Sequence, residues 1–223
     1  MATAPANLSF LPWVRQGAAA AISATDTLAA NLPGAALLSA NLSVNGTPTP
    51  AVSLRLRGPA DVVGIDTRQI VRMDPHPGSA DFEPNYFAAI EFDRADFPWL
   101  FTPAKAQDGG RLRPWLCLVV VRVQPGVSVQ GSADAPLPVL EIAAPAVPAD
   151  ELPDLAECWA WAHAQAASGA GSAQDIRNAL QGRPELALSR LLCPRLLKAN
   201  TDYIACVVPT FDLGVKAGLG QEI

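Results

Sequence analysis

The sequence predicts an α+β protein that is mainly antiparallel β-sheet, with a sandwich or barrel-like body and a small helical segment. Several short stretches alternate apolar and polar residues at period two, which is typical of strands with one buried face. The 21 prolines and 16 glycines among the 223 residues divide the chain into many short elements. Residues 115–121, with the sequence WLCLVVV, form an uninterrupted apolar run of strand length.

Composition excludes several classes of function. Half of the residues are hydrophobic, enough for a sizeable core, and only 17% are charged, which favours a surface covered by a protein partner. The net charge of -5 offers no basic face for a nucleic acid or an anionic membrane. The N-terminus lacks the features of a secretory signal, and no run approaches the ~18 apolar residues of a membrane span. We therefore expect a soluble, cytoplasmic protein.

The sequence contains no recognisable motif for a cofactor, a metal or a catalytic residue, so none is expected. The sequence has no nucleotide-binding glycine loop, nucleophile elbow, HExxH helix or EF-hand loop. The four cysteines have no metal-type spacing, and we expect buried free thiols. A disulfide between Cys193 and Cys206 stays open, because spacing alone does not determine connectivity.

The first 14 residues predict an arm. Residues 1–7 are expected to be flexible, and residues 8–14 to form an edge strand or a docked segment, because Pro12 has no N–H for a central strand. Trp13 is a candidate anchor of this arm on a protein partner, and packing within its own domain is the alternative.

Residues 38–56 predict a β-hairpin. Apolar and polar residues alternate over 38–44 and again over 52–56, so each strand is expected to have one buried and one wet face. Asn45-Gly46 and the two prolines after it predict the turn and a longish loop.

The loop after residue 73 holds the one local group of potential metal ligands. The group consists of Asp74, His76, Asp81 and Glu83. Their spacing matches no zinc or calcium motif, which favours a plain polar loop.

Residues 86–123 predict the centre of the fold. The run at 115–121 is expected to be buried on both faces, as a strand central in a sheet or sandwich. Before it, an aromatic turn contains Phe97, Trp99 and Phe101, which are our candidate protein contacts. The same aromatics and Trp115 are alternatively a carbohydrate platform or ordinary core, and core is favoured.

The acidic residues just before the aromatic turn could suggest a carboxylate pair for glycoside chemistry. Glu91, Asp93 and Asp96 are near one another in sequence, but Arg94 stands among them. Ion pairing is therefore the favoured interpretation.

A Pro/Ala linker at residues 143–150 is the predicted boundary between a β-rich body at 8–142 and a helix–helix–strand segment at 151–223. That segment either packs on the body or stands apart. Residues 152–167 predict a helix, because their apolar positions follow 3.6-residue spacing. His163 lies on or beside this apolar stripe, which favours packing over catalysis. A last buried strand is expected at 203–208 and a terminal helix from residue 211.

Five stretches of the chain carry a resemblance to a known family. They are FLPWVRQG, GPADVVGIDTRQIVRMDPHPG, DFEPNYFAAIEFDRADFPWLFTPAKA, RLRPWLCLVVVRV and LSRLLCPRLLKANTDYIACVVPTFDLGVKAGLG. Together they cover most of the chain and resemble the N-terminal region of large uncharacterised bacterial proteins associated with contractile injection systems, the phage-tail-like particles. In that family the match continues past AGLG, so the resemblance fits a longer polypeptide, and docking of the terminus on another surface is the alternative.

The resemblance implies a non-enzymatic structural or adaptor component of such a particle, baseplate- or tail-associated, whose partners are other protein subunits. It carries over no catalytic residue. Two alternatives remain at this point. One is a glycan-binding module that uses Trp99 and Trp115. The other is a hydrolase-type cargo or effector that uses Asp74, His76, Glu91 or Asp93.

Overall fold

The computed structural model describes residues 8–11, 37–83, 85–107, 111–131, 133, 135–167, 178 and 180–223. The strands are β1 Leu8–Leu11, β2 Leu37–Ala40, β3 Ser43–Val44, β4 Thr47–Pro48, β5 Val52–Arg55, β6 Ile70–Asp74, β7 Ala89–Phe92, β8 Leu116–Arg122, β9 Val127–Gln130, β10 Val139–Ile142, β11 Ala162–Ala167, β12 Ala187–Leu192 and β13 Tyr203–Pro209. The helices with described bounds are α1 Pro148–Glu151 and α2 Asp212–Gly218, and residues 178 and 180–182 are also helical. Five 3₁₀ helices lie at Pro59–Asp61, Thr67–Gln69, Phe97–Trp99, Leu155–Trp161 and Pro184–Leu186. The predicted fold class, α+β and mainly antiparallel β, is confirmed.

The largest sheet has five antiparallel strands in the order β1-β11-β12-β7-β6. On β11, Ala162, Ala164 and Ala166 are buried and alternate with half-buried His163 and Gln165. Strands β12 and β7 continue the same alternation across the sheet. One face of the sheet therefore belongs to the core. Strand β1 lies at the outer edge, which confirms an edge strand over Leu8–Leu11.

A two-stranded ribbon of β8 and β13 forms the middle of the core. Leu116, Leu118 and Val120 of β8 pack into the cluster that includes the five-stranded sheet. The alternate residues Val119 and Val121 pack into a second cluster. Its other members come from β9, β10, β13 and the segment around Cys158. The core thus has three layers, with β8 between the sheet and the β9–β10 hairpin.

The prediction for β8 is confirmed in its burial and wrong in its pairing. All residues from Leu116 to Val121 are buried. Within the described residues, however, β8 pairs with β13 alone and is not central in a sheet. An apolar run indicates that both faces of a strand are buried, but it does not indicate how many strands pair with it. Here the layers on either side of a two-stranded ribbon bury both faces of β8.

The helix predicted at residues 152–167 is wrong. The segment forms a 3₁₀ helix over Leu155–Trp161, which Asp154 caps by accepting a hydrogen bond from the Ala156 N–H at 2.9 Å. It then continues as strand β11. Alanine at every second position fits both a helix and a close-packed strand. Strands β1 and β12 supply hydrogen-bond partners on both sides of β11, and this tertiary context overrides helix propensity.

Strands on the two sides of residues 143–150 share sheets. β11 and β12 lie in one sheet with β1, β6 and β7, and β13 pairs with β8. The segment that follows residue 150 is therefore joined to the preceding body by main-chain hydrogen bonds. In its described part, strand β11 stands where the first helix is predicted, residues 178 and 180–182 are helical, and the predicted last strand is present as β13.

The predicted hairpin is present. β2 pairs with β5 and β3 with β4, and the chain reverses at Asn45 and Gly46, whose φ angles are 49° and 80°. These positive φ values are those of a tight hairpin turn, for which Asn-Gly is the preferred pair. The predicted burial of one face is not found, as described below. Among the described residues, no helix has the length and apolar composition that crossing a bilayer requires.

Candidate functional site

Two of the predicted contact residues are core residues. Phe97 and Trp99 are 3% and 0% exposed, and the indole N–H of Trp99 donates to the Leu112 carbonyl oxygen at 3.1 Å. Neither side chain offers surface to a partner. Phe101 is half-buried and packs edge-on against Trp115, with 4.9 Å between ring centroids. Trp13 lies outside the described residues.

The tryptophans proposed as a glycan platform are not exposed. Trp115 is 3% exposed, and its indole N–H donates to the Phe97 carbonyl oxygen at 2.7 Å. Trp99 has no exposed surface. Stacking on a sugar requires an accessible ring face, so these two residues cannot form that platform. The preferred interpretation, aromatic core, is confirmed for both.

The acidic and histidine candidates do not assemble into a catalytic or metal centre. Within the described ranges, no group of three or more His, Cys, Asp or Glu side chains is placed to hold a metal ion. His76 is exposed, and Asp74 pairs with Arg72 at 2.7 Å. Arg94 holds Asp96 with two hydrogen bonds, at 3.1 and 3.0 Å. This confirms the predicted ion pairing around Arg94.

A polar row crosses the outer face of the five-stranded sheet. His163, Arg190, Glu91 and Arg72 are direct neighbours on strands β11, β12, β7 and β6. Arg190 donates to Glu91 at 2.5 Å. Burial lowers the pKa of His163 and the charge of Arg190 adds to this, against the contact of its Nε2 with the Ala160 carbonyl oxygen. His163 is therefore neutral near pH 7, and the row is a cross-strand ladder that stabilises the sheet.

A cavity of about 350 Å³ lies where β8, α1 and the segment after Cys193 meet. Its wall contains Glu151, whose side chain is fully buried. Arg122 donates to the Glu151 carboxylate from its backbone N–H at 2.9 Å and from its guanidinium at 2.8 and 2.5 Å. Gln124 adds a hydrogen bond at 2.8 Å. Arg195 lies 3.1 Å from the same carboxylate and also donates to the Asp150 carbonyl oxygen.

The charge of the buried Glu151 carboxylate is compensated by Arg122 and Arg195. Burial alone would raise the pKa of Glu151. The hydrogen bonds from Arg122 and the charges of Arg195 and Arg122 outweigh burial and hold that pKa below its usual value. A buried carboxylate with two arginines and one amide is fully satisfied. The network therefore joins β8, α1 and the segment after β12, and its charged groups bind one another.

The thiol at this cavity is not poised for nucleophilic chemistry. Burial raises the pKa of Cys193, against hydrogen bonds with backbone groups of Arg195 and Val120 and the charge of Arg195. A thiol with a raised pKa carries little thiolate at neutral pH. All four cysteines are thiols, as expected, and three of them are buried while Cys206 is half-buried.

Sequence reasoning missed the Glu151 network. Its partner Arg122 lies 29 positions away, and Arg195 reaches back across 45 positions to Asp150. The single local signal was an acidic pair at the end of a Pro/Ala stretch, which favours a solvated helix start. Only the meeting of β8 with α1 distinguishes a buried carboxylate from a solvated one.

An apolar surface is exposed on the hairpin formed by β2 to β5, residues 37–57. Leu42, Val44, Val52 and Leu54 are 56%, 60%, 44% and 46% exposed. The strand pairing places the four residues on one face, because residues directly opposite each other share a face and the alternate residues follow. This is the face that the alternating pattern predicts to be buried, and in the described part of the chain it is not.

The hairpin differs in charge from the rest of the chain. Residues 37–57 contain no acidic residue and two basic ones, Arg55 and Arg57, whereas the whole chain has a net charge of -5. Both arginines lie close to the carboxylate of Asp61 at the base of the hairpin, at 3.5 and 3.7 Å. The tip and the apolar face are therefore uncharged.

Comparison with protein-family models, with curated proteins and with solved structures finds no match for this chain. Function is therefore inferred from the chain's own surface.

Proposed function

We propose that the chain is a non-enzymatic structural or adaptor component of a large cytoplasmic protein assembly, acting through protein–protein contacts. The observation that carries the proposal is the apolar face of the hairpin, where four aliphatic side chains remain 44–60% exposed. These four side chains form one contiguous apolar surface, which is characteristic of an interaction site.

The energy available at this face is sufficient for a specific contact. Burying a whole Val or Leu side chain contributes roughly 1.5–3 kcal/mol, and about half of each remains exposed here. Covering Leu42, Val44, Val52 and Leu54 therefore supplies about 4 kcal/mol before the costs of association are subtracted. The absence of charge on this face removes the desolvation cost that a charged surface would impose.

The assembly that the sequence resemblance implies is a phage-tail-like contractile injection particle. The baseplate or another tail-associated position would supply many protein neighbours. The 17% content of charged residues suits a surface largely covered by such neighbours. Phe101 is the one predicted aromatic contact in the described chain that keeps accessible surface.

The two alternative functions have less support. A glycan-binding module would need accessible aromatic rings, and Trp99 and Trp115 are buried. A hydrolase would need convergent catalytic groups. In the described chain Asp74 and Glu91 are each paired with an arginine, and His76 stands exposed beside the Pro77 carbonyl oxygen.

The test is affinity capture from the native host, followed by mass spectrometry. We expect the tagged chain to co-purify with sheath or baseplate proteins. The double variant Val44→Thr with Leu54→Thr should lose these partners, because it makes the hairpin face polar while keeping or improving β propensity. Val63→Thr with Val147→Thr is the matched control, since these residues are 74% and 51% exposed elsewhere. A wild-type chain that purifies as a clean monomer without partners would refute the proposal.

A further inference from the structure

We infer that the β2–β3 edge of the hairpin, residues 37–44, pairs antiparallel with the same edge of a second copy of this chain. The inference rests on the proposed function, since it concerns the same hairpin and names one partner. It concerns the edge of the hairpin, whereas the proposed subunit contact concerns its apolar face.

The direction of the backbone groups identifies the free edge. The Thr49 N–H donates to the Leu42 carbonyl oxygen at 2.9 Å, so the backbone of Leu42 points toward β4 and β5. Successive residues of a strand point their N–H and C=O groups to opposite sides. The backbone groups of Ser39, Asn41 and Ser43 therefore point away from the hairpin, and within the described residues no strand pairs with that edge.

The two edges of the hairpin differ in their protection against pairing. Pro48 lies opposite Ser43 at an outward position of the β4–β5 edge, and Pro50 follows in the stretch between β4 and β5, where the pairing register shifts by one residue. Arg55 and Arg57 follow on that strand. Prolines and charges are the usual means by which proteins block an edge strand. The β2–β3 edge, LLSANLSV, has neither, which leaves it competent to pair.

Charge favours the β2–β3 edge over the β5 edge for pairing with a second copy. Pairing β5 with β5 of another copy would bring both copies' Arg55 and Arg57, which share the single carboxylate of Asp61, to one interface with a strand spacing of roughly 5 Å. Pairing β2 with β2 puts the two β5 strands three spacings apart, about 14 Å. This exceeds the Debye length of about 8 Å at physiological ionic strength. The neutral edge thus meets its own copy without repulsion.

The sequence of the edge is also self-complementary. In antiparallel pairing centred on Asn41, each even-numbered residue lies opposite an even-numbered residue of the other copy. Each odd-numbered residue lies opposite an odd-numbered one. Apolar Leu42 and Val44 then align with apolar positions, and Ser39 with Ser43. About six main-chain hydrogen bonds form through the outward groups of the two copies.

The pairing remedies a weakness of the hairpin itself. A two-stranded hairpin with exposed faces is marginally stable in water, and independent stability requires three or more strands or a packed face. Pairing of two copies produces a four-stranded sheet in the order β5-β2-β2-β5. The apolar face of each hairpin becomes half of one continuous surface, which remains available to another subunit.

Sedimentation velocity over a concentration series tests the inference. We expect the wild-type chain to show a monomer–dimer equilibrium. Asn41→Pro removes one outward N–H from each copy and should weaken dimerisation by about tenfold or more, because two intermolecular hydrogen bonds are lost. The matched control is Ser53→Pro. Ser53 lies directly opposite Ser39, so it also points its N–H outward, but on the other edge. It should leave the dimer unchanged within about twofold.

Hydrogen exchange of the wild-type chain gives a second measurement that does not depend on either proline variant folding. The amides of Ser39, Asn41 and Ser43 should gain protection as protein concentration rises. A chain that stays monomeric at its highest soluble concentration, or equal weakening by both proline variants, would overturn the inference. If Asn41→Pro instead removes a different subunit in affinity capture and no dimer exists, the second-copy inference fails while the proposed function stands.

Discussion

Glu151 shows how a single residue acquires its role from distant parts of the chain. Its carboxylate is fully buried and accepts hydrogen bonds from Arg122 and Gln124, with Arg195 at 3.1 Å. Removing one partner of a buried ion pair is costly because the other charges lose their compensation. The network joins β8 to α1 and to the segment after β12, so it acts as a clamp between parts of the fold.

Glu151→Gln should lower the free energy of unfolding by about 3 kcal/mol at pH 7, measured by urea titration. The matched control is Glu185→Gln, because Glu185 and Arg183 form a pair at 3.5 Å that is about two-thirds exposed. That change should cost less than about 0.5 kcal/mol.

The difference between wild type and Glu151→Gln should also depend on pH. The pKa of Glu151 is lower in the folded than in the unfolded chain, so the unfolded chain binds more protons in acid. The stability from Glu151 is fully present above the unfolded pKa and is lost as pH falls through the folded pKa. The cost of Glu151→Gln should therefore shrink below about pH 4. A cost that is small at pH 7 or constant with pH would contradict the clamp.

Strand β11 is the element in which local and tertiary preferences conflict. The 3.6-residue pattern that predicts a helix puts Ala162, His163 and Ala166 on its apolar stripe and leaves Ala164 outside it. In the strand, Ala164 has no exposed surface. Pairing with β1 and β12 satisfies the backbone on both sides, and small side chains let the strand pack closely on the ribbon of β8 and β13.

Ala164→Gln should destabilise the protein by about 3 kcal/mol or more, because a long amide would have to enter a packed core without a partner. Ala167→Gln, at the half-buried end of the same strand, should cost less than about 1 kcal/mol. Chemical denaturation measures both. Equal and small effects would indicate that Ala164 is exposed, as the helix requires.

The sequence of the hairpin strongly predicts its turn and strands, but it does not predict what covers the apolar face. Asn45-Gly46 predicts the turn, and the alternating residues predict both strands. The same alternation predicts a buried face without indicating what buries it. In this chain the face of Leu42 and Val52 is exposed, and a contact with another molecule satisfies the pattern equally well.

At the scale of the whole molecule, the strand order links the ends of the chain to its middle. β1 lies beside β11, β12 beside β7, and β13 beside β8. Residues 143–150 were predicted as a boundary from their proline and alanine content. Their composition favours irregular backbone, and α1 begins within the stretch, but strands that precede residue 143 pair with strands that follow residue 150.

We expect a single cooperative unfolding transition. Tryptophan fluorescence and far-UV circular dichroism should give coincident urea curves, because Trp99 and Trp115 lie in the same core cluster as buried residues of β11 and β12. Separate transitions, or a stable fragment of residues 8–142 after proteolysis within 143–150, would show instead that the body folds without the C-terminal segment.

Local chemistry in the sequence by itself determined the class of fold, the Asn45-Gly46 hairpin and the burial of 115–121. Each depends on residues near one another in the chain, where turn preferences and apolar periodicity act directly. The tertiary structure alone decided that 162–167 is a strand, that Glu151 is clamped and that the hairpin face is exposed. These depend on which distant segments meet, and burial and hydrogen bonding between such segments outweigh local preference.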